Sequence, residues 1–451
     1  MPLRIGVNAL FLIPGGVGGT EVSLRNLLAA FARSPRGHEF VVFLNRETEP
    51  IAPTNATNHP DTALPNIPAL PNIPALPNIP ALPNIPALPS IPALPSHDRQ
   101  GVVFFPPLPS HDRQRVVFPA LPSHDRQGVV FPVEALVPSH PGFHAVQTGV
   151  MAKSRPRRIL YEQTRLSAVA RAANIDVLFN PGFTSPLFPP CPNVTIIHDL
   201  QHHHHPEFFK RGDLLAWRFL VWASAKWSKR ILTVSEAARE DIHATYGVPL
   251  NRIHTAEPGV EPEFFSLTPT GNEPLILCVS TLHPHKNIER LVDAFAAFRS
   301  RRPEYRLILA GMRGFHGDAV ERRIRHHGLE EHITLTGWIP RQDILKLYSR
   351  AQFAVFPSTF EGFGMPVVEA MAAGVPLIAS DIRPIKDTTA RTALLFPPHD
   401  TQALSAAMEQ FAANPALRAS HALQARARAA MYTWDRTANL TLDALELAAQ
   451  D

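Results

Sequence analysis

The chain has 451 residues, 45% hydrophobic and 18% charged, with 43 Lys and Arg against 39 Asp and Glu for a net charge of +4. That length exceeds one ordinary core and calls for two domains or more, while the light, balanced charge excludes a polyacidic or polybasic disordered chain and demands no nucleic-acid partner. Two cysteines, Cys191 and Cys278, cannot build a disulfide framework, so a reducing cytoplasm is expected.

Met1-Pro2-Leu3 leads directly into Arg4–Leu10, which reads as a buried strand, so no signal peptide is expected. Gly15, Gly16, Gly18 and Gly19 follow. Glu21–Ala32 then repeats its apolar residues at helical spacing, and Phe40–Leu44 is a second strand. Glycines between a strand and a helix let the backbone approach a ligand, and the helix N-terminus favours an anion or a polar sugar. A dinucleotide site would carry an acid at the end of the second strand. Leu44-Asn45 ends it instead, and no Gly-Lys-Ser/Thr follows, so neither NAD nor a P-loop is indicated.

Prolines then become abnormal: 20 of the 47 lie between Pro60 and Pro141. Leu-Pro-Asn-Ile-Pro-Ala repeats five times from Leu64 to Ala93, with Ser90 in the last copy. Ser-His-Asp-Arg-Gln-x-Val-Val-Phe starts at Ser96, Ser110 and Ser123. Proline at every third residue removes backbone donors, so polyproline II or disorder is expected over 60–141. One reading is a partner-docking segment. The other is an expanded insertion looping from a surface connection, which costs little because loop closure grows only logarithmically.

Beyond the tract, Val177–Phe179, Val194–Ile197 and Ile231–Val234 read as strands. A new series follows: strands Leu275–Val279, Arg306–Ala310, Ile333–Leu335, Phe353–Phe356 and Pro376–Ala379, and helices Ile288–Arg299, Ala319–His327, Asp343–Ser349 and Pro366–Ala372. Two strand–helix series predict an α/β chain with two Rossmann-like parallel-sheet domains facing a cleft. The expected division is 1–265 with the 60–141 insertion, 272–425, and a C-terminal helix in 426–451 returning to the first domain. No apolar run reaches about 18 residues, so no transmembrane helix is expected. Leu214–Arg230 mixes three tryptophans with basic residues, as a packed helix or one lying on a membrane.

His198 falls at a strand end, where open α/β sheets hold ligands. The His202–His205 run lacks convergent metal-ligand spacing and reads as an exposed polar loop. Lys286, at a helix start, is placed to meet a phosphate. Phe356-Pro-Ser-Thr-Phe-Glu361-Gly362-Phe363-Gly364-Met365-Pro366-Val-Val-Glu369 is the most informative stretch. A strand ends, glycines follow, and Pro366 suits a helix start whose amides can hold a diphosphate. Eight helical residues would separate Glu361 and Glu369 by about 12 Å, too far for a pair of hydrolase carboxylates.

Together these motifs resemble the family-4 glycosyltransferases, the group 1 retaining enzymes with the GT-B fold, over Met1 to Asn45 and Arg158 to Asp451. The resemblance implies a nucleotide-diphosphate sugar as co-substrate, no metal, no other cofactor, and a glycan or lipid-linked acceptor. Glu369 would bind the ribose, and Glu361 with Gly362, Phe363 and Gly364 the sugar. Lys286 would neutralise the diphosphate. Gly337 and Ile339 would lie near the base, while His198 and Gly15–Gly19 would close the site from the acceptor side. A hexose such as mannose is the sugar the family makes common, and a cytoplasmic enzyme touching the inner membrane face through Leu214–Arg230 is the expected setting. The sequence departs from the family in Thr281 and His285, where basic residues are common, and in Asp387 and Ala390, where a Glu and a Gly are. The alternatives are a catalytically impaired scaffold using its repeats, or a GT-B sugar-nucleotide epimerase.

Overall fold

The computed structural model describes residues 1–13, 19–48, 136–271 and 273–450. The repeats themselves lie outside the described residues, as do Gly15, Gly16 and Gly18. At the end of the 60–141 span, Leu136 is buried and packs with the strands of the first sheet.

The first sheet is built from β1 (Arg4–Asn8), β2 (Glu39–Leu44), β3 (Phe143–Gln147), β4 (Val177–Asn180), β5 (Asn193–Ile196), β6 (Arg230–Thr233) and β7 (Ile253–Thr255), in the order 3-2-1-4-5-6-7. The second contains β8 (Leu275–Val279), β9 (Arg306–Ala310), β10 (Ile333–Gly337), β11 (Phe353–Phe356), β12 (Leu377–Ser380) and β13 (Leu394–Phe396), in the order 10-9-8-11-12-13. All pairs are parallel. Helices cover both faces of a parallel sheet, so the central strands are continuous apolar runs: Phe353–Phe356 is buried throughout. The strand order reverses between β1 and β4 and between β8 and β11. Crevices open at these two points, outside the carboxyl ends of the strands.

β3, β7 and β13 have no counterpart among the strands expected from sequence. All three are edge strands, and β7 and β13 have only three residues. An edge strand needs little apolar sequence, and β3 accordingly exposes Ala145 and Gln147 and only half-buries His144 and Val146.

The chain crosses between sheets twice. Gly259 lies on the outward crossing, where an added Cβ would meet the Trp434 backbone nitrogen at 2.2 Å, so no larger residue fits. Val260 N donates to Tyr432 O at 3.0 Å, so the two crossings are zipped together. The helix Pro415–Ala429 packs on the helix Met365–Ala373, and after the return crossing the helix Trp434–Gln450 packs on the helix Gly19–Arg33 and under the first sheet. Leu442 and Leu445 are fully buried there with Leu24 and Phe31, each burial worth about 1.5–3 kcal/mol.

Candidate active site

Apolar β8 and β11 carry their following loops to one switch point. After β8 the chain makes a single turn, Pro284–Lys286, and Asn287 adopts a left-handed conformation before the helix Ile288–Arg299. Asn287 Nδ2 donates to the carbonyls of Pro357 (3.1 Å) and Pro398 (2.8 Å), and Thr359 N donates to His285 O at 2.8 Å. These bonds lock the turn to the loop after β11. Lys286 and Glu361 are thereby brought together: Nζ lies 2.5 Å from Oε1, with both side chains largely buried. The ammonium also lies 5.6 Å from the centre of the Phe356 ring.

Glu361 opens the loop to the helix Met365–Ala373. Phe363 is buried, its ring edge-on to Tyr432 at 5.5 Å, and Gly364 precedes the helix with φ +99°. Gly362 meets the first sheet. An added Cβ would stand 2.4 Å from His198 O, and its own carbonyl accepts from Ser235 Oγ at 2.6 Å. Ser235 also caps the helix Glu236–Tyr246, accepting from Ala238 N at 3.1 Å.

His198, just beyond β5, donates from Nε2 to the Pro181 carbonyl at 3.1 Å and packs on Phe183. Burial lowers its pKa, so the ring is neutral at pH 7. It shares an apolar cavity with Thr20, Ser23 and Leu24 of the helix that begins at Gly19. Asp199 is half-buried, with Oδ1 accepting from Gln201 N at 3.0 Å. Burial raises its pKa, Glu361 adds to the rise and Lys286 opposes it. Asp199, Asp241, Thr359, Phe360, Glu361 and Gly362 line a second, more open cavity between the two sheets. Gln201 Nε2 donates to His285 Nδ1 at 2.7 Å across that cleft. Burial, then Lys286 and His283, push His285 down to about 3.

Glu369 lies within the helix Met365–Ala373 and is buried rather than open at its start. Oε1 accepts from Arg341 at 2.7 Å, and the Tyr348 hydroxyl faces Oε2 at 3.4 Å. Gly337 ends β10, its carbonyl accepting from Gly311 N at 3.1 Å, and Ile339 packs on the core that includes Val367 and Val368. Arg341, two residues on, therefore places the 337–339 turn beside Glu369. The His202–His205 run is exposed at His203 and His204 as expected, but Gln201–His204 form a short helix rather than a loop, and His202 is buried against Tyr246 Oη at 2.9 Å. Among the described residues no group of three or more His, Cys, Asp and Glu is placed to hold a metal ion.

Arg341, Ser235 and Gln201 escaped the sequence reading. A capping serine before a helical run was available as a signal for Ser235. Nothing local marks Arg341 or Gln201, whose partners are 28 to 84 residues away.

The chain matches the family model for glycosyl transferases group 1 over residues 260–429 and that for glycosyltransferase family 4 over residues 113–264. It is similar to O-antigen chain mannosyltransferase B of Escherichia coli, 28% identical over 266 residues, covering 56% of this chain and 70% of that protein. Among solved structures it resembles sucrose-phosphate synthase from Thermosynechococcus elongatus, with TM-score 0.65 and 17% identity over the whole of both chains. It also resembles Anabaena HepE in complex with UDP and glucose, with TM-score 0.63 and 17% identity over 98% of this chain and 99% of that one. The two parallel Rossmann-like sheets give the chain the GT-B fold. The chain is a glycosyltransferase, with its C-terminal part matching the group 1 model.

Proposed function

We propose that the enzyme moves a hexose, mannose in the first place, from a nucleotide-diphosphate sugar to a glycan or lipid-linked acceptor, with retention and without a metal ion. The observation that carries this is the Lys286–Glu361 pair at the switch point of the second sheet, backed by the amides of residues 362–364. Departure of a nucleoside diphosphate needs charge stabilisation, and Lys286 with those amides can supply it. In this reading the diphosphate draws Lys286 from Glu361, freeing the carboxylate to face the sugar. Glu369 takes the ribose hydroxyls on its remaining lone pairs, and residues 337–339 border the base. His198 and Gly19 face the acceptor. The similarity to a mannosyltransferase of O-antigen chains supports the sugar and a polysaccharide product. Residues 1–265 with 426–451 form the acceptor side, and residues 272–425 the donor side.

No helix among the described residues is long and apolar enough to cross a membrane. The helix Arg211–Trp227, however, exposes Leu215, Phe219, Trp222 and Trp227, with Trp222 contacting Phe219 at 6.0 Å and Trp227 at 5.9 Å. Exposed Lys210 and Lys229 flank it. This supports peripheral contact with the anionic inner membrane face, where a lipid-linked acceptor would lie. Co-sedimentation with anionic vesicles, abolished in Phe219→Ser/Trp222→Ser, is the expected result; equal pelleting of that variant would reject the contact.

The donor reading is tested by thermal shift with GDP, UDP, ADP and dTDP, with and without magnesium, on wild type and Glu369→Ala. Ligand at 100 times its Kd adds about 2.7 kcal/mol of stability. Stabilisation by one nucleotide, unchanged by magnesium and lost in the variant, is expected. No shift with any nucleotide in folded protein would overturn it.

A further inference from the structure

Buried Glu369 belongs to a partly buried cluster with three members from three parts of the chain. Arg341 Nη2 donates to Glu369 Oε1 at 2.7 Å. The same guanidinium makes a two-pronged contact with Glu261, Nε to Oε1 at 3.0 Å and Nη2 to Oε2 at 2.9 Å. Its flat face lies 4.6 Å from the centre of the Phe264 ring. Glu261 and Phe264 lie on the outward crossing between the sheets, and Arg341 opens the helix Arg341–Arg350 after the 337–339 turn. The groups facing the Glu369 carboxylate are Arg341, Glu261 and Tyr348. Cys278 of β8 lies near Tyr348, and burial pushes its thiol up to about 12, so it carries no charge.

We propose that Arg341 is a positioning residue of the donor site: it keeps Glu369 ionised and aimed, and through Glu261 it ties that carboxylate to the crossing that joins the two sheets. The proposal rests on the reading of Glu369 as the ribose contact. A carboxylate accepts from two hydroxyls of a diol, whereas a neutral carboxyl spends one oxygen as a donor. Burial, and the neighbouring charge of Glu261, favour the neutral form of Glu369 and leave its pKa raised; Arg341 opposes both and limits the rise. Burial in turn pulls on the guanidinium, but the two acids outweigh that and hold it firmly protonated. The planar fork can grip Glu261 with two bonds and still reach Glu369, which a lysine's point charge cannot do. A cluster needed only for packing would often be no less stable with apolar residues in all three places. Retaining two acids on one cation leaves a net negative charge at the place where a diol has to be recognised.

The test is the Kd of the nucleotide identified by thermal shift, measured by calorimetry from pH 5.5 to 8.5 on wild type, Arg341→Met, Arg341→Lys, Glu261→Gln and Glu369→Gln. Wild type is expected to bind with less pH dependence than Arg341→Met. Arg341→Met is expected to bind at least tenfold more weakly at pH 6 and to regain affinity as pH rises and Glu369 loses its proton. Arg341→Lys, which keeps the charge if the larger truncation fails to fold, is expected to lie between the two with a flatter profile. Glu261→Gln, which leaves the guanidinium to Glu369, is expected to bind within about twofold of wild type. Wild-type affinity and pH profile in folded Arg341→Met and Arg341→Lys would overturn the positioning role. Wild-type binding by Glu369→Gln would instead overturn the ribose reading, so the two failures are distinguishable.

Discussion

The Lys286 ammonium lies 2.5 Å from the Glu361 carboxylate, and each side chain is less than one-fifth exposed. Neither residue is close to the other in sequence; the parallel neighbours β8 and β11 bring their loops together. A charge so placed is held only while its partner is present, because removing one member of a buried pair strands the other. Lys286→Met is therefore expected to lower transfer at least a hundredfold, about 2.7 kcal/mol in the barrier, and to lower the urea midpoint as well. Adding Glu361→Gln should restore the midpoint but not the transfer. Recovery of both in the double variant would show the pair to be structural only.

Gly362 is where the two sheets' loops touch. Its missing side chain leaves room for the His198 carbonyl, and a Cβ at 2.4 Å from that backbone oxygen cannot be absorbed by a rotamer change. Gly362→Ala is expected to push the loops apart, with a loss of about 1–3 kcal/mol and a larger proportional loss of kcat, since 1 Å of misplacement can cost about a hundredfold. Gly212→Ala, with open space around the added methyl, serves as the control and should change neither. Equal kcat in the two variants would reject the role of this contact.

The central strands were legible because burial on both faces forces an unbroken apolar run. β8, β9 and β11 and the helix Ile288–Arg299 fall on the residues their patterns mark. Edge strands carry no such signature, and β3, β7 and β13 were not seen. In the site, the loop after β11 was legible because glycine, aromatic and glycine are followed by a proline at the helix start. The state of Glu369 was not: its environment is made by Arg341 and Glu261, 28 and 108 residues away, and no local pattern encodes such a meeting. The same limit hid the Gln201–His285 bond, whose partners are 84 residues apart.

Ala390 gives a stability prediction independent of the site. It ends the helix Arg383–Thr389 at φ +47°, a left-handed conformation that strains any residue with a Cβ, and Arg391 follows at φ +69°. Ala390→Gly is expected to stabilise by about 1 kcal/mol, seen as a rise in urea midpoint at unchanged slope. A fall in the midpoint would show that the methyl group's packing outweighs the strain.

Acid sensitivity follows from the buried histidines. His285 and His202 are pushed from 6.5 down to about 3 and about 4, burial being the main cause in each. A depressed folded-state pKa means that the two rings are neutral in both folded and unfolded chains above pH 6.5. Below it, the unfolded chain takes up protons that the folded chain refuses, and stability falls until the folded-state pKa is reached. The slope is at most about 1.4 kcal/mol per pH unit for each ring, and less for half-buried His285, which keeps some solvent. Asp199 and Glu369 act in the opposite sense, since their raised pKa values relieve a buried charge as pH falls. The total curve therefore mixes signs, and the informative quantity is a difference between variants. His285→Gln should lose less stability than wild type between pH 6.5 and 4 in urea titrations, while the two profiles run parallel above pH 7. Parallel profiles over the whole range would mean that His285 takes up its proton in the folded enzyme, and that its bond with Gln201 does not depend on a neutral ring.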